Sequence, residues 1–93
     1  MRLLGEPLVD EFKEGYRQSA NVMDRWVAIV RAAKWKSFVD VKKTFNTADY
    51  VAPYVIFNIG GNKYRLLSVI DYKESVVIVR AVMRHKEYDR WKP

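Results

Sequence analysis

The apolar residues of the N-terminal half follow the spacing of α-helices. Arg2–Leu4 suits a short β-strand, and Pro7 is well placed in a first helical turn. Apolar side chains then recur every three or four residues in two runs, which are separated by a break at residues 19–21. The runs consist of Leu8, Val9, Phe12 and Tyr16, followed by Val22, Trp26, Ile29, Val30 and Ala33. This spacing predicts two amphipathic helices whose aromatic stripe packs in the core.

A third, shorter helix is predicted after residue 36. Ser37–Asp40 resembles a capping box with Asp in the Glu position. The apolar face of this helix would be formed by Phe38, Val41 and Phe45. Lys42 and Lys43 then project outward, which favours a solvated helix face, with phosphate contact as the alternative.

From Tyr54 onward the apolar residues alternate as they do in β-strands. Three segments rich in Val, Ile, Tyr and Phe are separated by Gly60–Asn62 and by Asp71–Glu74. They predict an antiparallel meander over residues 54–59, 63–70 and 75–82. In the last segment, Arg84 to Trp91, the aromatic residues fall on one side and Pro93 follows, which indicates a short C-terminal helix. The predicted fold class is therefore α+β.

Hairpin geometry places two arginines on one face of this sheet. A turn centred on Gly60 and Gly61, with a four-residue loop at residues 71–74, sets Arg65 opposite both Ile56 and Arg80. Neighbouring arginines repel each other unless an anion lies between them. The pair therefore predicts a phosphate clamp on the face that the helices leave open. The alternative is that each arginine pairs with an internal carboxylate such as Asp89 or Glu87, or extends to solvent.

Composition limits the class of protein. A chain of 93 residues that is 49% hydrophobic predicts one domain spanning residues 1–93. It contains no Cys and one His, so we expect no disulfide, metal ion or other cofactor. No apolar run approaches the roughly 20 residues that cross a bilayer, and the start lacks a secretory signal. These features predict a cytoplasmic protein without a membrane partner.

Charge and candidate chemistry are concentrated in the last third of the chain. The formal net charge is +6, and from Lys63 onward eight basic residues stand against four acidic ones. His85 shares a helical face with Tyr88 and Asp89, which are three and four positions further on. Cations beside a group that exchanges protons near neutral pH suit chemistry on a phosphodiester. A binding module would collect similar residues, and a lone histidine is often structural.

The reaction that these groups fit is metal-free RNA cleavage, in which a ribose 2′-hydroxyl attacks the adjacent phosphorus. We assign His85 as acid or base, Tyr88 as positioning group or second acid/base, and Arg65 with Arg80 as the phosphate clamp. Further candidates for RNA contact are Lys63, Arg84 and Lys86.

Two stretches of the sequence carry a family resemblance. Val55–Leu67, with its Phe-Asn-Ile-Gly-Gly-Asn motif, and Val79–Asp89, with its His-Lys-Glu-Tyr-Asp motif, resemble HigB-type toxins of bacterial type II toxin-antitoxin systems, within the RelE/ParE-like superfamily. Residues 37–45 and Ala48–Tyr50 are also similar to that family. The resemblance implies an N-terminal strand that joins the sheet, two to three helices on one sheet face, a site on the other face and a short C-terminal helix.

The resemblance also implies a function. It implies a ribosome-dependent mRNA endoribonuclease, or mRNA interferase, that inhibits translation, with Arg65, His85 and Tyr88 as catalytic residues. Its partners would be the ribosome, mRNA and a HigA-like antitoxin with a helix-turn-helix domain, and DNA would be contacted only through that antitoxin. The superfamily also includes gyrase poisons, so a non-enzymatic toxin or binding module of the same fold remains the alternative.

Overall fold

The computed structural model describes residues 1–91, which form five strands and four helices. In chain order the elements are β1 (Arg2–Leu4), α1 (Glu6–Gly15), a 3-10 turn (Arg17–Ser19), α2 (Ala20–Ala32), α3 (Phe38–Thr44), β2 (Asp49–Val51), β3 (Tyr54–Ile59), β4 (Tyr64–Asp71), β5 (Val76–Arg84) and α4 (His85–Trp91). The α+β fold class, the N-terminal strand, the meander and the C-terminal helix are confirmed. Strand β2 is an addition, and Pro93, which was expected to end α4, lies outside the described residues.

The five strands form one mixed sheet in the order β1-β5-β4-β3-β2. Strand β1 runs parallel to β5, and the other neighbouring pairs are antiparallel. Among the described elements, no helix has both the length and the apolar character that crossing a membrane requires.

Helices α1 and α2 cover one face of the sheet, and the main core lies beneath them. Phe57 is fully buried there and contacts the rings of Trp26, Trp35 and Phe45 at centroid distances of 5.3, 6.1 and 5.2 Å. Gly5, at φ 80°, permits the close approach of α1 to β5, since a Cβ there would lie 2.5 Å from the Val79 carbonyl oxygen. The amphipathic pattern therefore identified the helical side of the core.

Helix α3 starts after Ser37, as predicted, but through a different contact. The Ser37 side chain makes no capping hydrogen bond. Instead, the Asp40 carboxylate accepts the backbone N–H of Lys36 at 2.8 Å. The predicted capping box is thus replaced by a single contact one residue earlier.

The predicted strand register at Arg65 was wrong by two residues on the β3 side and by three residues on the β5 side. Arg65 pairs with Asn58 rather than Ile56, because the first turn contains four residues, 60–63, between the paired Ile59 and Tyr64. On the other side Arg65 pairs with Met83 rather than Arg80. The second loop lies at residues 72–75, between the paired Asp71 and Val76, one position later than expected.

A β-bulge also changes the order of side chains on β5. Leu67 pairs with Ala81 and Ser68 pairs with Val79, so Arg80 is left without a partner in the ladder. An extra residue shifts the alternation of every position after it. Accordingly, Ala81 packs with the cluster on the open face and Val82 with the helix-side core, the reverse of what strict alternation from an Arg80 on the open face predicts.

Candidate active site

Three elements meet where β4 begins and β5 ends. Helix α4 starts directly after β5, and the N–H of His85 donates to the carbonyl of Lys63, 2.9 Å away, in the turn between β3 and β4. Glycines at positions 60 and 61, with φ of 68° and 71°, allow that turn its left-handed backbone. This junction holds the side chains of α4 against the open face of the sheet.

Arg65 lies at the centre of the junction and is only 7% exposed. Its guanidinium donates to the side-chain oxygen of Asn62 at 2.6 Å and to the carbonyl oxygens of Asn62 and Tyr64 at 3.4 and 3.1 Å. Within residues 1–91 it forms no salt bridge with a carboxylate. A buried cation is costly without a counter-charge, so the site is poised for an anion supplied from outside.

His85 contacts Arg65 through one ring nitrogen and faces Asp89 with the other. Nη2 of Arg65 lies 3.3 Å from Nδ1 of His85, and Nε2 of His85 lies 3.6 Å from Oδ2 of Asp89. An arginine only donates hydrogen bonds, so Nδ1 is the acceptor in this contact. The neutral imidazole then carries its proton on Nε2, toward the Asp89 carboxylate. The predicted proximity of histidine, carboxylate and arginine is present.

Tyr88 supports the other side of the guanidinium. Its ring is 6% exposed, with Cζ of Arg65 lying 5.6 Å from the ring centroid. Trp91 stacks on the same ring at 5.7 Å. Burial raises the pKa of the Tyr88 phenol, the Asp49 carboxylate adds to this, and Arg65 opposes it. Tyr88 therefore remains a protonated hydrogen-bond donor at neutral pH.

A cleft of about 280 Å³ opens beside Arg65 and Tyr88. Its remaining walls come from α3, the segment after it, β2 and β3, namely Lys42, Thr47, Ala48, Asp49, Ile56 and Asn58. Lys42 was expected on a solvated helix face, with phosphate contact as the alternative, and the structure places it in a wall of this cleft. Asn62 was missed, because its role depends on the four-residue turn.

The other predicted contact residues lie at different distances from this cleft. The side chains of Lys63 and Lys86 are exposed beside the junction, and Arg80 is exposed at the bulge. Arg84 instead pairs with Tyr64, a residue of the helix-side core, and its Cζ lies 5.1 Å from the Tyr16 ring centroid. It also contacts Glu87 at 3.0 Å. The structure therefore brings Arg65, His85 and Tyr88 together and places Arg84 on the opposite face.

Within the described residues, His, Asp and Glu side chains do not gather in a group of three that could hold a metal ion. The groups that meet at the junction are a guanidinium and a phenol, which line the cleft, and an imidazole that contacts the guanidinium. All three can donate hydrogen bonds to an anion, and the imidazole and the phenol can also exchange protons with it.

The fold and this site define a small toxin of the RelE-like class. A sequence profile of the HigB toxin family, described as the RelE-like toxic component of a toxin-antitoxin system, matches residues 19–91. The chain therefore belongs to the HigB toxin family, and an antitoxin is the partner that such a system provides.

Curated relatives agree with this assignment. The chain is 26% identical, over 92 residues, to the mRNA interferase toxin HigB of Escherichia coli strain K12, in a match covering 96% of this chain and 88% of the relative. The mRNA interferases HigB of Escherichia coli O157:H7 and of Shigella flexneri match with the same identity and coverage.

Proposed function

We propose that this toxin is an mRNA endoribonuclease that cuts ribosome-bound transcripts without a metal ion and so inhibits translation. The observation that carries the proposal is the buried Arg65 guanidinium, which has no carboxylate partner within residues 1–91 and touches both His85 and Tyr88. The names of the curated relatives, which are mRNA interferases, support the substrate class.

The proposed reaction begins at Nδ1 of His85. Once the phosphate takes over the Arg65 guanidinium, the lone pair of this nitrogen is released from its contact with Nη2 and accepts the proton of a ribose 2′-hydroxyl, whose oxygen forms a bond to the adjacent phosphorus. The bond from phosphorus to the 5′-oxygen breaks, and the phenol of Tyr88 donates its proton to that oxygen. Arg65 donates to the phosphate oxygens as their charge increases. The products are a 2′,3′-cyclic phosphate and a 5′-hydroxyl end.

Cations around the cleft would hold the RNA strand on either side of the cleaved bond. Lys42 lines the cleft itself, and Lys63 and Lys86 are exposed next to His85. Arg80 would contact a phosphate further along the strand. We do not extend this role to Arg84, because its guanidinium is engaged by Glu87 and Tyr16 on the helix side.

The toxin would act in the cytoplasm, where the ribosome and mRNA are found. Its antitoxin would be a HigA-like protein with a helix-turn-helix domain, and operator DNA would be contacted through that protein. An acidic or aromatic antitoxin segment over the cleft would give Arg65 the counter-charge that the described residues lack.

The test is cleavage of a defined transcript in a reconstituted translation system, with and without ribosomes. We expect wild-type protein to cut the transcript only when ribosomes are present and to leave 3′-phosphate or cyclic phosphate ends. His85→Ala should reduce the rate by about 10²–10⁴-fold, as expected for loss of a general acid or base. Lys13→Ala, near the C-terminal end of α1, is the control, and this variant should cut the transcript at the wild-type rate.

Two results would contradict the proposal. Ends bearing a 3′-hydroxyl would exclude attack by the 2′-oxygen. Intact transcripts in growth-arrested cells that show a DNA-damage response would favour the non-enzymatic, gyrase-inhibitor-like alternative.

A further inference from the structure

A second cationic cleft lies at the opposite end of β4 from the candidate active site. It has a volume of about 650 Å³ and lies between the end of α2, the start of β1 and the loop between β4 and β5. Its walls are Met1, Arg31, Ala32, Ala33, Lys34, Trp35, Lys36, Tyr72, Lys73 and Ser75, and it is called the distal cleft below. Since Arg65 and Asp71 are six residues apart on β4, the two clefts are separated by about 20 Å.

The charges that line the distal cleft are all positive. Lys34, Lys36 and Lys73 are exposed and make no salt bridge within residues 1–91. Arg31 is the exception, since it contacts Glu6. No carboxylate of residues 1–91 lines the cleft. Three lysines from two chain segments therefore face one cavity with little to neutralise them.

Tyr72 adds a polar side chain to the wall of the distal cleft. Its ring packs against the helix-side core, and its hydroxyl is buried without a hydrogen-bond partner in the part of the chain that the structure describes. Burial raises its pKa, with added contributions from Tyr50 and Asp40. One oxygen of the Asp40 carboxylate accepts the Lys36 N–H at 2.8 Å, and within residues 1–91 no hydrogen bond joins Asp40 to the Tyr72 hydroxyl. A buried hydroxyl without a partner costs stability, so this donor needs an acceptor.

We propose that the distal cleft binds the phosphodiester backbone of RNA at a point separate from the cleaved bond. Lys34 and Lys73 neutralise the phosphates, and the Tyr72 hydroxyl, which is covered in the free protein, donates to a phosphate oxygen after the wall of the cleft above it shifts. Lysine and tyrosine side chains commonly make such contacts to the backbone of nucleic acids. The inference rests on the proposed function in taking RNA as the ligand, and it gives the toxin a second contact that anchors the RNA.

The test measures RNA binding in a His85→Ala background, so that the RNA is not cut. Lys34→Ala/Lys73→Ala is compared with Arg17→Ala/Arg25→Ala, which removes two exposed charges elsewhere. Loss of two phosphate contacts should lower the slope of log affinity against log salt by about 1.4, the value for two contacts to single-stranded RNA. The control pair should keep the parent slope.

Tyr72→Phe removes only the hydroxyl and leaves the ring in the core. We expect several-fold weaker RNA binding from this variant with unchanged or higher thermal stability, because the unpaired group is gone. Unchanged RNA binding in both the double lysine variant and Tyr72→Phe would overturn the proposal. So would equal losses in the lysine and control pairs, or a loss confined to binding of the antitoxin.

Two sources of the phosphate are distinguished by two probes, a single-stranded oligonucleotide and purified ribosomes. A loss seen with ribosomes alone assigns the distal cleft to structured ribosomal RNA, and a loss seen with the oligonucleotide assigns it to the transcript. Cleavage is measured separately with the same substitutions on a wild-type His85 chain. A protein that binds RNA through the distal cleft yet never cuts it would contradict the proposed function but not this inference.

Discussion

The two faces of the sheet differ in whether their buried groups find partners within the chain, as two neighbouring residues of β4 show. Leu66 is fully buried on the helix side, among apolar residues that complete one another's packing. Arg65 is almost as buried on the other side, but it carries a charge that no carboxylate in residues 1–91 neutralises. One face is complete within the chain, and the other requires an anion from outside.

This difference separates the residues that stabilise the fold from those that act on a ligand. On the helix side, the buried rings already contact each other, so they contribute nothing to the affinity for a ligand. On the open side, the guanidinium donates hydrogen bonds to the Asn62 side chain and to two backbone carbonyl oxygens, which hold it in place without neutralising it. Substitutions on the two faces should therefore affect different measurements.

The largest expected effect is on the helix side. Phe57→Ala removes a ring that contacts three other aromatic residues, and we expect a loss of about 3–5 kcal/mol in the free energy of unfolding. Urea denaturation followed by circular dichroism measures it. Val39→Ala, at a side chain that is 63% exposed, is the control and should change stability by less than about 0.5 kcal/mol. A loss below 1 kcal/mol for Phe57→Ala, of the order of a surface substitution, would place the core elsewhere.

The corresponding change on the open face is Arg65→Gln. The amide keeps a donor near Asn62 but removes the positive charge, so we expect RNA cleavage to fall by about 10²–10³-fold. The free energy of unfolding should change by less than about 1 kcal/mol, because a buried cation is removed together with its contacts. Arg25→Gln, at an exposed position on α2, is the matched control. Destabilisation as large as that of Phe57→Ala would mean that Arg65 is a structural residue.

Tyr88→Phe tests the proton donor without disturbing the ring stack. We expect cleavage to fall by about 10²-fold, as for loss of a general acid, with stacking on Trp91 retained. Because burial raises the pKa of this phenol, it stays protonated as the pH rises from 7 to 9. Wild-type activity should therefore not decline through ionisation of Tyr88 in that range. A fall in activity near pH 8 that Tyr88→Phe abolishes would contradict the assignment.

Much of the fold could be predicted from the sequence, because local patterns determine it. The helical spacing identified Trp26 and Val30 as core residues, and the alternation after Tyr54 identified the faces of β3 and of most of β4. The sequence also indicated that Arg65 and His85 lie close together, because Arg65 is on the open face and His85 directly follows the strand beside it. The convergence of Arg65 and Arg80 did not follow, because it depended on an exact register.

Register failed for physical reasons that a single sequence does not reveal. The Gly60–Lys63 turn is longer than predicted, and the bulge at Arg80 adds a residue to β5. Each of these changes shifts the pairing of the residues that follow along the strand. Lys42 and Asp49 reach the cleft through the tertiary position of α3 and β2, which no local pattern specifies. Asn62 became a partner of Arg65 only through the longer turn.

Asn62→Asp sharpens the comparison, because it gives Arg65 the carboxylate that the described chain lacks. The new oxygen would lie about where Oδ1 of Asn62 now accepts from Nη2 at 2.6 Å. We expect the free energy of unfolding to rise by about 0.5–1 kcal/mol, the scale of a partly exposed ion pair. Cleavage should fall by about tenfold, since the internal anion competes with phosphate, a loss equivalent to about 1.4 kcal/mol. Cleavage assays stopped at fixed times measure the rate, and urea denaturation measures the free energy of unfolding. Unchanged cleavage would show that the charge of Arg65 is not used.

The smallest effect concerns the start of α4, which holds His85 in place. Glu87 accepts the backbone N–H of Arg84 at 2.9 Å, and this bond, followed by the Arg84 guanidinium, lowers the pKa of Glu87. A carboxyl whose pKa is lower in the folded state stabilises the fold above its ordinary pKa and loses that contribution as the pH falls through the lowered value. Wild-type protein should therefore be slightly more stable than Glu87→Gln at pH 6, by at most about 0.5 kcal/mol because solvent screens this partly exposed helix-terminal carboxylate, and no more stable at pH 2–3. Because the backbone bond is the larger cause, most of this difference should persist in an Arg84→Gln background. If Arg84→Gln abolished it, the guanidinium rather than the helix terminus would be what holds Glu87, and α4 would depend on the helix side of the sheet for its position.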